Sequence, residues 1–241
     1  MKLLDANQDL SLQVHPGDAY ALAHGDDLGK TEMWYVLYAE PGSDLILGLE
    51  PEVTAGELRD ALASGDAANM LRSLPVKAGQ AVDVPAGTLH ALRAGLVVTE
   101  IQQNSDATYR VHDWGRLGAD GRPRPLHLER AMDVIAFGQI PPGIVLPTPL
   151  YDLEGVRAFE LVRNQYFVVE EVAFQPGARY MGWCEGETME IWGCMQGAVQ
   201  VHWSGDPLPL DAIRYGLLPA TLGEYAITAS EASVCLRVYL P

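Results

Sequence analysis

Cysteine is scarce in this chain: only Cys184, Cys194 and Cys235 stand among its 241 residues. Their number is odd, they are widely spaced and they form no Cys-x-x-Cys pair. That excludes a disulfide framework and reads as reduced thiols in a cytoplasmic protein. Long apolar runs are missing too. No stretch approaches the ~18 consecutive apolar residues of a membrane span. The opening "MKLLDANQDL" has no long apolar segment, so it does not read as a secretory signal. Basic residues are few, 16 against 32 acidic ones, for a formal charge of −16. Such a field repels nucleic acid and anionic membranes, and neither is expected as a partner. Any anion that binds must be held locally by a few basic side chains, against that field.

Turn-forming residues, by contrast, are plentiful, with 24 glycines and 16 prolines. They punctuate short strand-like stretches: "TEMWYVLY", "DLILGL", "QAVDVP", "LVVTEIQQ", "QYFVVEEVAF", "AVQVHW" and "SVCLRVYL". Two stretches read as helices. "TAGELRDALASGDAANMLRSL" opens with Thr54 and Glu57 in capping-box spacing, and "LHLERAMDVIAFG" ends near Gly138. Many short strands with few helices predict an all-β sandwich or jelly-roll barrel rather than a parallel α/β sheet. "GQIPPGIVLPTPL" carries four prolines in 13 residues, the composition of a stiff connector. It predicts two lobes, 1–148 and 149–241.

Residues 10–18, "LSLQVHPGD", alternate in an unusual way. On a strand, Leu10, Leu12 and Val14 share one face while Ser11, Gln13 and His15 share the other. A strand that aims an amide and an imidazole together gives up apolar packing for some other purpose. Residues 79–92, "GQAVDVPAGTLHAL", fit G-x5-P-x-G-x2-H, from Gly79 through Pro85 and Gly87 to His90. Here a strand ends at a Pro-x-Gly turn and the next begins with an inward imidazole. This segment resembles the second metal motif of the cupin β-barrel, although Ala94 stands where an Asn is usual.

Four motifs in order, "LSLQVHPGD", "LGKTEMWYVL", "VPAGTLHAL" and "TEIQQNSDATYRVHDWGR", resemble type I mannose-6-phosphate isomerase. The resemblance is dense over 1–140 and thinner beyond. It implies a metal-binding cupin barrel at 1–148, with a helical insertion at about 54–73, and a second cupin-like barrel without metal at 149–241. It implies one Zn²⁺ per chain held by Gln13, His15, Glu32 and His90; Mn²⁺ or Fe²⁺ would accept the same N/O donors. The implied reaction interconverts mannose 6-phosphate and fructose 6-phosphate through a cis-enediol. Arg110 falls at the catalytic arginine, Lys30 lies two residues from Glu32, and Glu100 and Asp106 match acidic positions flanking the site.

Each residue also has an ordinary structural explanation. His90 would be a core or turn residue, Gln13 a cross-strand bond, Glu32 with Lys30 an exposed ion pair, and Arg110 a partner of Asp106 or Asp113. His24, His112, His127 and His202 match no ligand motif and read as structural. Glu185, Glu187 and Glu190 read as solvated acids around a glycine turn. A metal- and sugar-phosphate-binding cupin without turnover is the alternative function, with a dioxygenase or storage-type cupin behind it. Lys30 and Arg110 favour the enzyme, because a bare metal-binding barrel needs neither. Relatives of the implied family carry several dozen residues ahead of "KLLDANQDLSLQVHP". Two readings follow: a shortened version, or an internal Met taken as the start. Either leads to an expected open edge near Leu3, Leu4 and Leu10, and to a homodimer covering it.

Overall fold

Apolar alternation and glycine-marked turns resolve into twenty strands and three short α-helices in the computed structural model, which describes residues 1–241. All strand pairings are antiparallel. The chain divides into two compact units, Met1–Val145 and Leu146–Pro241. No helix is long and apolar enough to cross a membrane.

The first unit runs β1 (Lys2–Ala6), β2 (Leu12–Val14), α1 (Asp18–Ala23), β3 (Glu32–Ala39), β4 (Asp44–Leu49) and α2 (Ala55–Ser64). It continues with β5 (Leu71–Pro75), β6 (Ala81–Val84), β7 (His90–Leu92), β8 (Leu96–Gln102), β9 (Tyr109–His112), α3 (Leu128–Val134) and β10 (Gly143–Ile144). Two five-stranded sheets form, in the orders β1-β8-β3-β6-β10 and β5-β4-β7-β2-β9. One core lies between them, built from Trp34, Val36, Val82 and Val98 of the first sheet and Leu45, Leu47 and Leu92 of the second. A second core lies on the other face of the second sheet. There Leu12, Val14, Ile46 and Ala91 pack with Leu58 of α2 and Ala131 and Met132 of α3. A strand buried on both faces needs a continuous apolar run, which is why β4 reads "LILGL" without polar alternation.

β2 is also buried on both faces, and this explains its pattern. Leu12 and Val14 pack under the helices, which leaves Gln13 and His15 on the barrel face. Leu10 departs from the expected set. It precedes the strand, its N–H donates to the Leu92 carbonyl (2.8 Å), and it packs against the core between the sheets.

Two helix boundaries differ from expectation. α2 keeps the capping box, with Thr54 N–H donating to Glu57 Oε2 (2.9 Å) and Glu57 N–H donating to Thr54 Oγ1 (3.3 Å). It stops at Ser64, however, because Gly65 adopts the left-handed conformation (φ 81°) that closes helices. The remaining residues form a 3₁₀ turn at Ala68–Met70 and then β5, which finds its hydrogen-bond partners on β4. α3 ends at Val134 rather than near Gly138, since Ile135 turns extended and Ala136 N–H donates to the Gly87 carbonyl (2.9 Å).

The second unit contains β11 (Thr148–Leu153), β12 (Val156–Arg163), β13 (Val168–Phe174), β14 (Arg179–Cys184) and β15 (Glu190–Gln196). β16 (Ala198–His202), β17 (Leu208–Asp211), β18 (Arg214–Leu218), β19 (Gly223–Ala229) and β20 (Ser233–Tyr239) complete it. Its sheets are ordered β11-β12-β13-β20-β15-β18 and β14-β19-β16-β17. Both contribute to one core that includes Val172, Trp192, Cys194, Val201, Tyr225 and Ile227. Glu185 and Glu187 are exposed as expected, but Glu190 is not solvated. It is 3% exposed and pairs with Arg237. Position decides the difference: Glu190 is the first residue of β15 and faces inward, while the other two occupy the turn.

Candidate metal centre

Two strand starts and one strand end converge on one point. Gln13 of β2 lies directly opposite His90, the first residue of β7, and Glu32 is the first residue of β3. His15 follows β2 by one residue, and the loops are tied together through the main chain. Gly87 N–H donates to the His15 carbonyl (2.8 Å), and Lys30 N–H donates to the Pro16 carbonyl (2.9 Å). Gly87 must be glycine for this turn. Its φ of +87° is left-handed, and a Cβ there would come within 3.0 Å of the Val134 carbonyl.

His15, Glu32 and His90 are all buried, at 2%, 0% and 1% exposure. Each imidazole donates its Nδ1–H to a main-chain carbonyl, His15 to Ala107 (2.8 Å) and His90 to Thr88 (2.9 Å). That arrangement fixes the tautomer and turns both Nε2 lone pairs toward the centre. Burial, followed by His90 and Lys30, pushes His15 well below the ordinary imidazole range. Burial lowers His90 as well, against the opposing pull of Glu32.

These donors fit a divalent cation. His15 Nε2 lies 3.5 Å from Glu32 Oε2, and His90 Nε2 lies 3.3 Å from Glu32 Oε1. Donors at ~2.0–2.2 Å around a four-coordinate ion are roughly 3.3–3.6 Å apart. All three ligand groups fall within 4.8 Å of one another. Glu32 Oε1 is buried without a hydrogen-bond partner, which is costly unless a cation takes its lone pair. Gln13 borders the set: its amide N–H reaches His90 Nε2 at 3.3 Å, and its Oε1 accepts from Ser11 Oγ at 3.1 Å. Rotating that amide by half a turn aims its oxygen at the same point, with the Ser11 hydroxyl then accepting instead.

Lys30 is buried, so the exposed ion pair is excluded. Its ammonium touches Glu32 Oε2, lies 3.3 Å from His15 Nε2 and lies 3.9 Å from Glu100 Oε1. Glu100 of β8 stands opposite Trp34 and accepts from its indole N–H (3.1 Å). Burial first, and then the Glu32 charge, raise the proton affinity of Glu100. Arg110 of β9 pairs in register with Gln13, so the two share a face. It donates to the Pro125 carbonyl (3.0 Å), keeps its Nε without a partner and makes no ion pair with Asp106 or Asp113. Asp106 is the outlier among the expected residues. It is exposed, in the wall of a cleft of about 560 Å³. Ala107, whose carbonyl holds His15, and Lys2, which pairs with Glu100 (3.7 Å), also line that cleft.

Arg116, Arg124 and Trp34 were not singled out from the sequence. Asp113 takes a bond from Arg116 Nη2 (2.6 Å) and a two-point grip from Arg124 through Nε (2.7 Å) and Nη2. Two guanidiniums thus share the Asp113 carboxylate, and Arg110 lies close enough to feel both cations without pairing with it. The loop that returns Arg124 to Asp113 carries no sequence signal. Trp34 was findable, since it lies two residues from Glu32 on the same face. The other histidines stay outside the centre. His24 stacks on Tyr20, His112 packs edge-on to Trp114, His127 accepts from Arg110 N–H, and His202 bonds Thr228.

No protein-family model matches the chain. It is 46% identical over 168 residues to a mannose-6-phosphate isomerase of Streptococcus mutans, covering 70% of this chain and 52% of that protein. It is 38% identical over 228 residues to the probable mannose-6-phosphate isomerase GmuF of Bacillus subtilis, covering 94% of this chain and 70% of that one. The crystal structure of the mannose 6-phosphate isomerase from Bacillus subtilis superposes with a TM-score of 0.86 at 32% identity, over 99% of this chain and 74% of that one. A putative mannosephosphate isomerase from Archaeoglobus fulgidus shares the fold, with a TM-score of 0.74 at 19% identity. The chain thus spans about half of one curated relative and 70% of another, and its extent, fold and identity place it in the mannose-6-phosphate isomerase family.

Proposed function

We propose that this chain is a metal-dependent aldose–ketose isomerase acting on mannose 6-phosphate and fructose 6-phosphate. The observation that carries the reading is the buried His15–Glu32–His90 set with its unpartnered Glu32 oxygen. His15, Glu32, His90 and Gln13 would hold one zinc ion, which when bound supplies a Lewis acid for the substrate oxygens. Three free, buried thiols fit a reducing, cytoplasmic setting.

The reaction moves a proton between C2 and C1 through a cis-enediol, so it needs a proton carrier, a cation for the developing enediolate and a hold on the phosphate. Lys30 and Glu100, 3.9 Å apart, form the carrier. Glu100, whose proton affinity burial raises, takes the C2 proton and gives one back at C1, while Lys30 gives a proton to the C1 oxygen and takes one from the C2 hydroxyl. Arg110, free of any carboxylate, stabilises the enediolate oxygen. Arg116 and Arg124 are the local cations that a chain of charge −16 needs to hold a phosphate. Asp106 orients sugar hydroxyls from the cleft wall.

Turnover of mannose 6-phosphate in deuterium oxide tests this reading. Fructose 6-phosphate carrying solvent deuterium at C1 is the expected product. Unlabelled substrate recovered from a chain that binds it would instead support a binding cupin without turnover.

A further inference from the structure

The two units repeat one wiring diagram. Adding twelve to each strand number from β1 to β8 gives β13 to β20. The pairings β1-β8-β3-β6 and β5-β4-β7-β2 then recur as β13-β20-β15-β18 and β17-β16-β19-β14. The sequence echoes this at one point: Glu32-Met33-Trp34 opens β3, and Glu190-Ile191-Trp192 opens β15.

Register carries the correspondence outward from those tryptophans. Trp34 lies opposite Glu100, which lies opposite Lys2; Trp192 lies opposite Arg237, which lies opposite Glu170. Both charges are reversed between the units. On the other sheet Gln13 faces His90, and Gly182 faces Tyr225. A side chain at Gly182 would collide with the Tyr225 ring. His90 packs edge-on to Trp34 (5.3 Å, 76°) and Tyr225 packs edge-on to Trp192 (6.3 Å, 73°). Two residues past Gln13 is His15; two past Gly182 is Cys184, also buried. The set Gln13, His15, Glu32, His90 therefore corresponds to Gly182, Cys184, Glu190, Tyr225, and only the carboxylate is kept.

Glu32 has the Lys30 ammonium on one oxygen and no hydrogen bond on the other, whereas both oxygens of Glu190 are gripped. Arg237 grips it at two points, Nη2 to Oε1 (2.6 Å) and Nε to Oε2 (2.8 Å). The Tyr225 hydroxyl (2.5 Å) and the Trp192 indole N–H (2.9 Å) donate to it as well. The remaining guanidinium nitrogen reaches Glu170 Oε2 at 3.2 Å. We propose that the second unit preserves the layout of a metal centre in which the guanidinium of Arg237 has taken over the part of the cation. A permanent, covalently tethered charge satisfies the inward carboxylates, so this unit takes up no divalent ion while Arg237 is present. Without Arg237, the Glu190 and Glu170 carboxylates that it bridges lose their cation, and the buried Cys184 thiol, near enough to feel the Glu190 charge, can close in with them as donors for a soft divalent cation. The proposal rests on the metal-centre reading of the first unit.

Cadmium titration of the full chain, after chelation, tests it. The wild type is expected to bind one ion per chain and Arg237→Ala two. The second ion should show a cadmium–thiolate absorption that disappears on adding Cys184→Ala. In Glu32→Ala/Arg237→Ala the added ion should persist while the first is lost. If the first-unit reading failed, the wild type would bind no ion yet Arg237→Ala would still gain one. A folded Arg237→Ala with no gain overturns the proposal, as does a wild type that binds an ion outside the first centre. Should Arg237→Ala lose its fold, Arg237→His, which brings its own ligand, is melted with and without cadmium. Recovery of the lost melting temperature supports the proposal, and no recovery in either variant overturns it.

Discussion

His15 and His90 each commit Nδ1 to a carbonyl, so only Nε2 is left for the centre, and burial lowers the proton affinity of both. Both titrate below the ordinary imidazole value of about 6.5 that they regain on unfolding. The unfolded chain therefore binds more protons, and their contribution to stability, complete above that value, is lost as pH falls toward the folded values. Urea melts of the chelated protein should show falling stability from about pH 7 to 5, a fall reduced in a His15→Gln variant. Arg110 offers a second residue-level test. Lys keeps the charge but loses the planar fork. Arg110→Lys should lower kcat by about 10²-fold or more, as for a lost oxyanion donor, with metal content unchanged. Near-normal kcat would return Arg110 to a structural role.

Elements were legible where both the period and the punctuation were local. The seven strand-like stretches became β3, β4, β6, β8, β13, β16 and β20. The capping box at Thr54 formed as its spacing predicted, and Thr54→Ala should cost about 1 kcal/mol in thermal or urea unfolding. What the sequence hid was set by tertiary partners. β5 reads as the end of a helix, yet it lies against β4 because Gly65 stops α2 and an open strand edge is near. α1 carries no sequence signal because six residues are too few to display an apolar period. At the centre, Gln13, His15, Glu32 and His90 could be named because each sits in a short motif. The grouping of Arg116 and Arg124 on Asp113 could not, since a loop brings them together.

For the whole molecule, the charge of −16 makes local cations matter most where they are buried. Burial alone would raise the proton affinity of Glu190, but Arg237 and Tyr225 bring it below the ordinary carboxylate value. Its stabilisation is therefore present above the unfolded value of about 4.3 and lost as pH falls through the folded value. Removing the guanidinium while the carboxylate stays should cost about 3–5 kcal/mol, read as an early melting step in Arg237→Met. β1 is an edge strand of its sheet, with Leu3 49% exposed. The 241-residue chain should accordingly self-associate through that edge, and Leu3→Lys should return it to a monomer in light scattering.

The proposed isomerase depends above all on a metal held at Glu32. Conversion of mannose 6-phosphate to fructose 6-phosphate should be followed in a coupled assay with the chelated chain, the zinc-reloaded chain and Glu32→Ala, with metal content measured in each. Activity should vanish on chelation, return in proportion to bound zinc up to one ion per chain, and be absent from a folded, metal-poor Glu32→Ala. Activity indifferent to chelation or to Glu32→Ala, or no turnover from the fully loaded chain, would contradict the proposal.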